Sequence, residues 1–246
     1  MYRIGIDLGG TNIAVGLVNE KYEIVSKISA PTRAAERGAE ELADKMAELC
    51  VAVCKGKGVP LLEVEAIGVA CPGAVDVPSG VVGYCNNFTF DIFPVVELMR
   101  RKTGVDQVYA ENDANAAAWG ETVAGAAKGT KSSVMITLGT GVGGGVIIDG
   151  KLFSGCNYSG AELGHMVIER GGVSCTCGRR GCWEAYSSAT ALIRMTQEKI
   201  EQCRQTGQET LMAKLLEQHG RVNGRTAFDA MRQGDGAASE VVDTYL

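Results

Sequence analysis

The chain has 246 residues and a formal net charge of −5, so it is long enough for one large domain or two smaller ones and too acidic for a general nucleic-acid binder. No apolar run approaches the roughly 20 residues that span a bilayer, so we expect no membrane partner. Nine cysteines in a long chain without a signal peptide favour a cytoplasmic protein with reduced thiols. With 33 glycines and 46% hydrophobic residues, the composition suits a compact, sheet-rich enzyme.

The first predicted element is a β-hairpin at residues 4–25, where two apolar runs flank a turn with the sequence Leu-Gly-Gly-Thr. The elements predicted after it are a helix at 36–55, a strand at 64–70, a helix at 93–102, a strand at 107–110 and a helix at 114–124. Apolar residues at helical spacing support the first of these helices, and Gly56 ends it. The pattern after Cys182 is helical throughout.

A second hairpin is predicted at residues 132–148, and its turn, Leu-Gly-Thr-Gly, echoes the first. A Walker loop or a Rossmann fingerprint needs a helix directly after the glycines, and neither segment supplies one. Glycine-rich turns can still hold an anionic phosphate, through backbone amides and here the hydroxyls of Thr11 and Thr140. An ordinary tight turn is the alternative for either segment alone. The matched pair predicts two α/β halves, residues 1–112 and 113–246, with a cleft between them.

One histidine and three cysteines lie close together in the segment from residue 161 to residue 185. They are His165, Cys175, Cys177 and Cys182, separated by glycines that bend the backbone. Three thiolates and one imidazole complete a tetrahedral zinc shell with no position left for water, so the spacing predicts a structural zinc site. A chance grouping of cysteines in a loop is the alternative. The carboxylates of Glu162 and Glu184 flank the site without being needed as ligands, so we expect the metal to hold them for another task.

Four segments of the chain, taken in order, carry a family resemblance. They are Asp-Leu-Gly-Gly-Thr-Asn at 7–12, Glu-Asn-Asp-Ala-Asn at 111–115, Gly-Thr-Gly-Val-Gly-Gly at 139–144 and the histidine–cysteine segment at 162–184. Together they resemble the ROK family of bacterial sugar kinases, most of all its glucokinases, over residues 5–190. The resemblance implies a duplicated α/β fold of the actin-like ATPase (ribonuclease H-like) type. It also implies ATP-dependent phosphorylation of a hexose, with glucose to glucose 6-phosphate as the first expectation.

The catalytic residue implied by the resemblance is Asp113, which matches the family's general base for the attacking sugar hydroxyl. Since phosphoryl transfer passes through a loose transition state, orienting that hydroxyl can matter as much as removing its proton. The alternative is that Asp113 is the N-cap of the helix that follows, a position that aspartate favours.

Hexose binding is implied for a set of carboxylates, amides and one imidazole, groups that pair well with adjacent hydroxyls. The set is Asn87, Asn112, Asp113, Glu162, His165 and Glu184. For Asn87 an Asx turn is the alternative. His165 is expected to bind zinc through one ring nitrogen and a sugar hydroxyl through the other.

ATP binding is implied for the two glycine turns, with Mg²⁺ accompanying the nucleotide. The residues concerned are Asp7, Gly9, Gly10, Thr11, Asn12, Gly139, Thr140, Gly141 and Gly143. Asp7 is expected to act on the Mg²⁺ through water. The resemblance also implies that the full-length protein is a homodimer.

Kinases of this family continue beyond the length of this chain, through a segment that holds the adenosine and a final helix. We therefore expect a C-terminally truncated chain whose nucleotide site is incomplete. Val241, Val242, Tyr245 and Leu246 form an apolar helical face, which we expect to be left uncovered and loosely packed.

Two other functions remain open at this stage. The family includes sugar-responsive repressors with a helix-turn-helix domain, for which the segment before residue 4 leaves no room. A non-catalytic sugar-binding protein is the second alternative. Within the kinases, N-acetylmannosamine, N-acetylglucosamine and fructose are alternatives to glucose, because the motifs above are shared among these specificities.

Overall fold

The computed structural model describes residues 1–84 and 88–246, so the predicted sugar ligand Asn87 lies outside the described residues. By density of contacts the chain divides into two units. Unit 1 comprises Met1–Met135 and Gly145–Ala161, and unit 2 comprises Ile136–Gly144 and Glu162–Leu246. These units differ from the two halves predicted from the sequence, whose boundary after residue 112 stays a prediction.

Unit 1 is built mainly from strands. The strands and helices up to residue 152 are β1 (Tyr2–Leu8), β2 (Asn12–Asn19), β3 (Ile24–Pro31), α1 (Ala39–Lys55), β4 (Val64–Cys71), β5 (Ala74–Asp76), β6 (Val81–Tyr84), α2 (Val95–Thr103), β7 (Val108–Asn112), α3 (Asp113–Ala124), β8 (Ser133–Leu138), β9 (Val142–Ile148) and β10 (Lys151–Leu152). All belong to unit 1 except the tip of the β8–β9 hairpin, Ile136–Gly144, which belongs to unit 2. They form a five-stranded sheet of order β3-β2-β1-β4-β7, a three-stranded sheet of order β10-β9-β8 and the β5-β6 pair. Both predicted hairpins are confirmed.

The core of unit 1 follows from the alternation of apolar residues in its strands. Ile4, Ile6 and Leu8 of β1 are buried, while the residues between them are exposed, as expected for a strand with period two. Helix α1 packs its apolar stripe into the same core. It begins at Ala39 rather than at the predicted residue 36, because the Glu41 side chain accepts the backbone N–H of Gly38 at 2.9 Å and fixes the start.

Three parallel strands bring polar residues to one edge of the five-stranded sheet. β1 pairs in parallel with β4, and β4 with β7, so that Asp7 lies opposite Ala70 and Ala70 lies opposite Glu111. All three strands therefore end on the same side. The carboxyl ends of parallel strands are where open α/β sheets bind ligands.

Unit 2 contains the helices predicted after Cys182. They are α4 (Glu184–Ser187), α5 (Ala189–Thr206), α6 (Leu211–His219), α7 (Thr226–Arg232) and α8 (Gly236–Tyr245). Across the described parts of the chain, no helix has the length and apolar character needed to cross a membrane.

The expectation of an uncovered face on the last helix is wrong. Val241 and Val242 are 5% and 2% exposed and belong to the core that α8 shares with α5 and α7. The Tyr245 hydroxyl donates to the carbonyl of Ser187 at 3.0 Å, and only Leu246 of the predicted face is fully open, at 88% exposure. The neighbouring helices supply enough apolar surface to cover α8.

Candidate functional site

The first glycine turn joins β1 to β2 and follows directly on Asp7. The Gly9 N–H donates to the Asn12 carbonyl at 3.0 Å and closes the turn. Asp7, Thr11 and Asn12 are exposed, so their polar groups are accessible to a ligand. The turn thus places an accessible carboxylate beside a stretch of accessible backbone.

The start of α3 separates the roles of two adjacent polar residues. The Asn112 side chain is the N-cap, because its Oδ1 accepts the N–H groups of Ala114 and Asn115 at 3.0 and 3.1 Å. Its Nδ2 donates to the Gly73 carbonyl at 3.1 Å. Asp113 is the first residue of the helix proper. The alternative that Asp113 serves as the N-cap is therefore wrong.

The Asp113 carboxylate is held in an environment that favours its protonated form. Part of the residue is exposed, yet the protein atoms around the carboxylate reduce its solvation, and this burial raises its pKa above the ordinary aspartate value. The Ala114 N–H, 2.8 Å from Oδ1, opposes the rise, and the negative charge of Asp7 adds to it. A carboxylate with a raised pKa is a stronger base than an ordinary one once it is ionised.

The predicted zinc ligands come together in unit 2. The ligand atoms of His165, Cys175, Cys177 and Cys182 all lie within 4.8 Å of one another. His165 Nδ1 is 3.6 Å from the Cys175 sulfur, and the sulfurs of Cys177 and Cys182 are 3.7 Å apart. A tetrahedral zinc ion with ordinary bond lengths requires about 3.6 Å and about 3.8 Å for such pairs. The four residues therefore fit a tetrahedral metal ion.

The loop that carries these ligands depends on close backbone packing. Gly181 has a φ of +81°, and a Cβ at this position would overlap the Glu169 carbonyl. The same stretch is tied by hydrogen bonds from the Gly181 N–H to the Val173 carbonyl at 2.7 Å and from the Ile168 N–H to the Gly181 carbonyl at 2.8 Å. Only glycine fits there, and the loop it permits brings Cys182 back to the other ligands.

The thiols of the cluster differ in acidity. For Cys177, burial raises the pKa, but N–H donors of Arg179 and the neighbouring thiols outweigh it and lower the pKa to about 6. Burial first, and then the hydrogen bond with Cys177, raise the pKa of Cys182 to about 11. Cys177 is thus more readily ionised than Cys182, and ionised thiols are the form that binds metals.

Glu184 contacts the second glycine turn. Its Oε2 accepts the backbone N–H of Val142 at 2.9 Å, and a Cβ on Gly141 would overlap the same carboxylate. The backbone around Gly164, next to the metal ligand His165, also lies too close to the Val142 carbonyl for a side chain at 164. Within unit 2, the turn, the metal cluster and a predicted sugar ligand therefore form one packed region.

The predicted site residues fall into two groups, one in each unit. Unit 1 holds Asp7, Gly9, Gly10, Thr11, Asn12, Asn112 and Asp113, and unit 2 holds Gly139, Thr140, Gly141, Gly143, Glu162, His165, Cys175, Cys177, Cys182 and Glu184. The predicted site list did not include Asn115, although it lies in the segment at 111–115; it is 2% exposed and donates to Glu111 Oε1 at 3.1 Å. Sequence reasoning missed Thr32 and Thr190, whose hydroxyls donate to carbonyls of the two glycine turns. Threonines at these positions carry no local pattern that could have identified them.

Comparison with known proteins assigns this arrangement to a family. The model of the ROK family matches residues 3–246. The glucokinase of Thermotoga maritima is 39% identical over 244 residues, covering 99% of this chain and 74% of that protein.

Solved structures agree. A ROK family glucokinase from Streptomyces griseus in complex with glucose and AMPPNP superposes with a TM-score of 0.80 at 34% identity, covering 100% of this chain and 75% of that chain. The ROK hexokinase from Thermus thermophilus superposes with a TM-score of 0.76 at 35% identity, covering 98% of this chain and 72% of that chain. The α/β fold is thus the actin-like ATPase fold, as expected. This chain belongs to the ROK family.

Proposed function

We propose that this protein is a sugar kinase that transfers the terminal phosphoryl group of ATP to a hexose hydroxyl, converting glucose to glucose 6-phosphate. The observation that carries the proposal is the environment of Asp113, an accessible carboxylate at the carboxyl ends of parallel strands whose pKa is raised by burial and by Asp7. The likeness over nearly the whole chain to proteins named as glucokinases supports the same reaction.

In this mechanism Asp113 accepts the proton of the attacking hydroxyl and orients that hydroxyl towards the phosphoryl group. Asn112 is suited to hold Asp113 in place. It caps α3 through its Oδ1, and as a donor it favours the ionised form of the neighbouring Asp113 carboxylate. The base is therefore fixed at the start of a helix rather than on a mobile loop.

The hexose is assigned to a set of polar residues that includes Asn112 and Asp113. The remaining proposed ligands are Glu162, His165, Glu184 and Asn87, the last of which is outside the described residues. Carboxylates accept from sugar hydroxyls, and an amide or imidazole can donate to them. This composition suits a polyol better than an apolar substrate.

The metal that best suits the four-residue cluster is zinc, because three thiols and an imidazole at tetrahedral spacing match its preferred shell. Zinc would close the loop and keep His165 in one orientation. Since Nδ1 faces the thiols, Nε2 is the ring nitrogen available to a sugar hydroxyl.

ATP is assigned to the two glycine turns, with Mg²⁺ near Asp7. The Asp7 carboxylate is an exposed oxygen ligand beside the first turn, and Mg²⁺ binds proteins through one or two carboxylates while keeping much of its water. Mg²⁺ would neutralise charge on the transferred phosphate.

Two further assignments accompany this function. The eight cysteines that the structure describes are free thiols, which fits a reducing cytoplasmic setting. A homodimer remains a prediction, which light scattering on the purified protein would test.

The test is phosphorylation of a sugar panel by the full-length protein, measured by coupled release of ADP. We expect turnover with glucose to exceed that with N-acetylmannosamine, N-acetylglucosamine and fructose. Preference for another member of the panel would change the substrate but not the reaction. Glucose binding in calorimetry without turnover would instead support a non-catalytic sugar-binding protein.

A further inference from the structure

Each of the two glycine turns is held by the hydroxyl of a threonine distant in sequence. In unit 1 the Thr32 Oγ1 donates to the Gly9 carbonyl at 2.6 Å. In unit 2 the Thr190 Oγ1 donates to the Thr140 carbonyl at 2.7 Å. The two contacts arise in different units and from different elements, yet they have the same chemistry.

Backbone bonds from the same places reinforce both contacts. The Thr32 N–H donates to the Thr11 carbonyl at 2.8 Å, and the N–H of Ala189, beside Thr190, donates to the Gly139 carbonyl at 2.9 Å. Each turn is thus fixed at two carbonyl groups. Thr32 is fully buried, so its hydroxyl is committed to this bond rather than to solvent.

Fixing a carbonyl also fixes the next amide. In a planar trans peptide the C=O of one residue and the N–H of the next point in opposite directions. The bond to the Gly9 carbonyl therefore turns the Gly10 N–H away from Thr32. Likewise, the Gly139 and Thr140 bonds turn the N–H groups of Thr140 and Gly141 away from α5.

Four backbone N–H groups in the two turns remain available to a ligand. Within the described ranges, the N–H groups of Gly10, Thr11, Thr140 and Gly141 have no acceptor. By contrast, the N–H groups of Gly139 and Val142, which flank the second pair, donate to the Gly141 carbonyl and to Glu184. Successive open amides form a concave set of donors that suits phosphate oxygens.

We propose that Thr32 and Thr190 are positioning residues, each of which aims the open amides of its own turn at phosphate oxygens of a nucleotide. The inference rests on the proposed kinase function and adds two residues to it. Neither threonine needs to touch the nucleotide, because each acts through the carbonyl that it holds.

The experiment replaces each threonine by valine, which keeps the shape and removes the hydroxyl. The control for exposed Thr190 is Thr206→Val, at another exposed position, and the control for buried Thr32 is Thr196→Val, at another buried position. The hydroxyls of Thr206 and Thr196 donate only to carbonyls within α5. Calorimetry with MgADP and steady-state kinetics provide the readouts.

We expect Thr190→Val and Thr32→Val each to weaken MgADP binding and to raise the KM for ATP by about three- to tenfold, the effect of one lost hydrogen bond. The KM for glucose should stay within twofold. Thr190→Ser keeps the hydroxyl and should restore wild-type values, and the two controls should match wild type.

Unchanged nucleotide binding in both valine variants would overturn the inference. Equal loss of glucose and nucleotide affinity with a lowered Tm would do so too, since it indicates a merely structural role. If the wild type binds MgADP but phosphorylates no sugar, the proposed function fails while the binding comparison still decides the role of the threonines.

Discussion

The Oε2 atom of Glu184 accepts the backbone N–H of Val142 at 2.9 Å, which joins a proposed sugar ligand to the second glycine turn. Gly141 makes this contact possible, because a Cβ there would overlap the carboxylate. The position of Glu184 therefore depends on a residue assigned to the nucleotide.

This contact predicts an effect of Gly141→Ala on the sugar. The added methyl group must displace Glu184, so we expect the KM for glucose to rise by about tenfold, equivalent to the loss of one hydrogen bond to a charged group. Gly120→Ala, outside the proposed site, is the control, since a Cβ at residue 120 also meets nothing within 4 Å. A glucose KM for Gly141→Ala that matches both the control and wild type would contradict the assignment of Glu184 to the sugar.

The second prediction concerns the base. Asp113→Asn removes the proton acceptor but keeps the shape, and Asn112 remains to cap α3, so we expect turnover to fall at least about 100-fold with glucose affinity preserved. Asp243→Asn, at an exposed position of α8, is the control for loss of one charge. Steady-state kinetics within a few-fold of wild type would rule Asp113 out as the base.

The raised pKa of Asp113 also predicts how stability depends on pH. Folding raises this pKa, so between the ordinary aspartate value and the raised one the folded protein binds more protons than the unfolded chain. The contribution of the group to stability is therefore lost as the pH rises through that window. We expect Asp113→Asn to melt at the same or a higher temperature than wild type at neutral pH, with the difference vanishing below the ordinary aspartate pKa. A lower Tm for the variant at neutral pH contradicts this.

The metal cluster predicts one tightly bound zinc per chain. Chelation should weaken glucose binding before it unfolds the protein, because the loop around His165 loosens while the core of unit 2 remains. Elemental analysis of protein purified without chelators checks the stoichiometry. Cys177→Ser should lose the metal, whereas Cys156→Ser, at an exposed cysteine outside the cluster, should keep it. Wild-type protein with far less than one zinc would refute the assignment.

The close packing around Gly181 predicts that a substitution there also causes loss of the metal. In Gly181→Ala the methyl group overlaps the Glu169 carbonyl, so the loop must open and we expect the zinc content to fall. Gly178→Ala has a similar φ of +84° but open space around its Cβ, so it should cost only the conformational strain of about 1–2 kcal/mol and retain the metal. Measuring zinc content and Tm for both variants distinguishes the effect of steric overlap with the Glu169 carbonyl from that of backbone strain.

The sequence by itself determined the local features of this protein. Alternating apolar residues around glycine turns predicted both hairpins, and the spacing of His165 and the three cysteines predicted the metal cluster. These features depend on neighbouring residues, whose periodicity and turn chemistry are readable along the chain.

Only the tertiary structure decided the contacts between distant residues. Thr190 holds Thr140 across 50 positions of sequence, and Glu184 meets Val142 across 42. Likewise, the apolar face of α8 looked uncovered in the sequence and proved to be packed against α5 and α7. Such contacts arise when the packing of helices and strands brings separate segments together, and no local pattern encodes which carbonyl a threonine will reach or which helix will cover an apolar face.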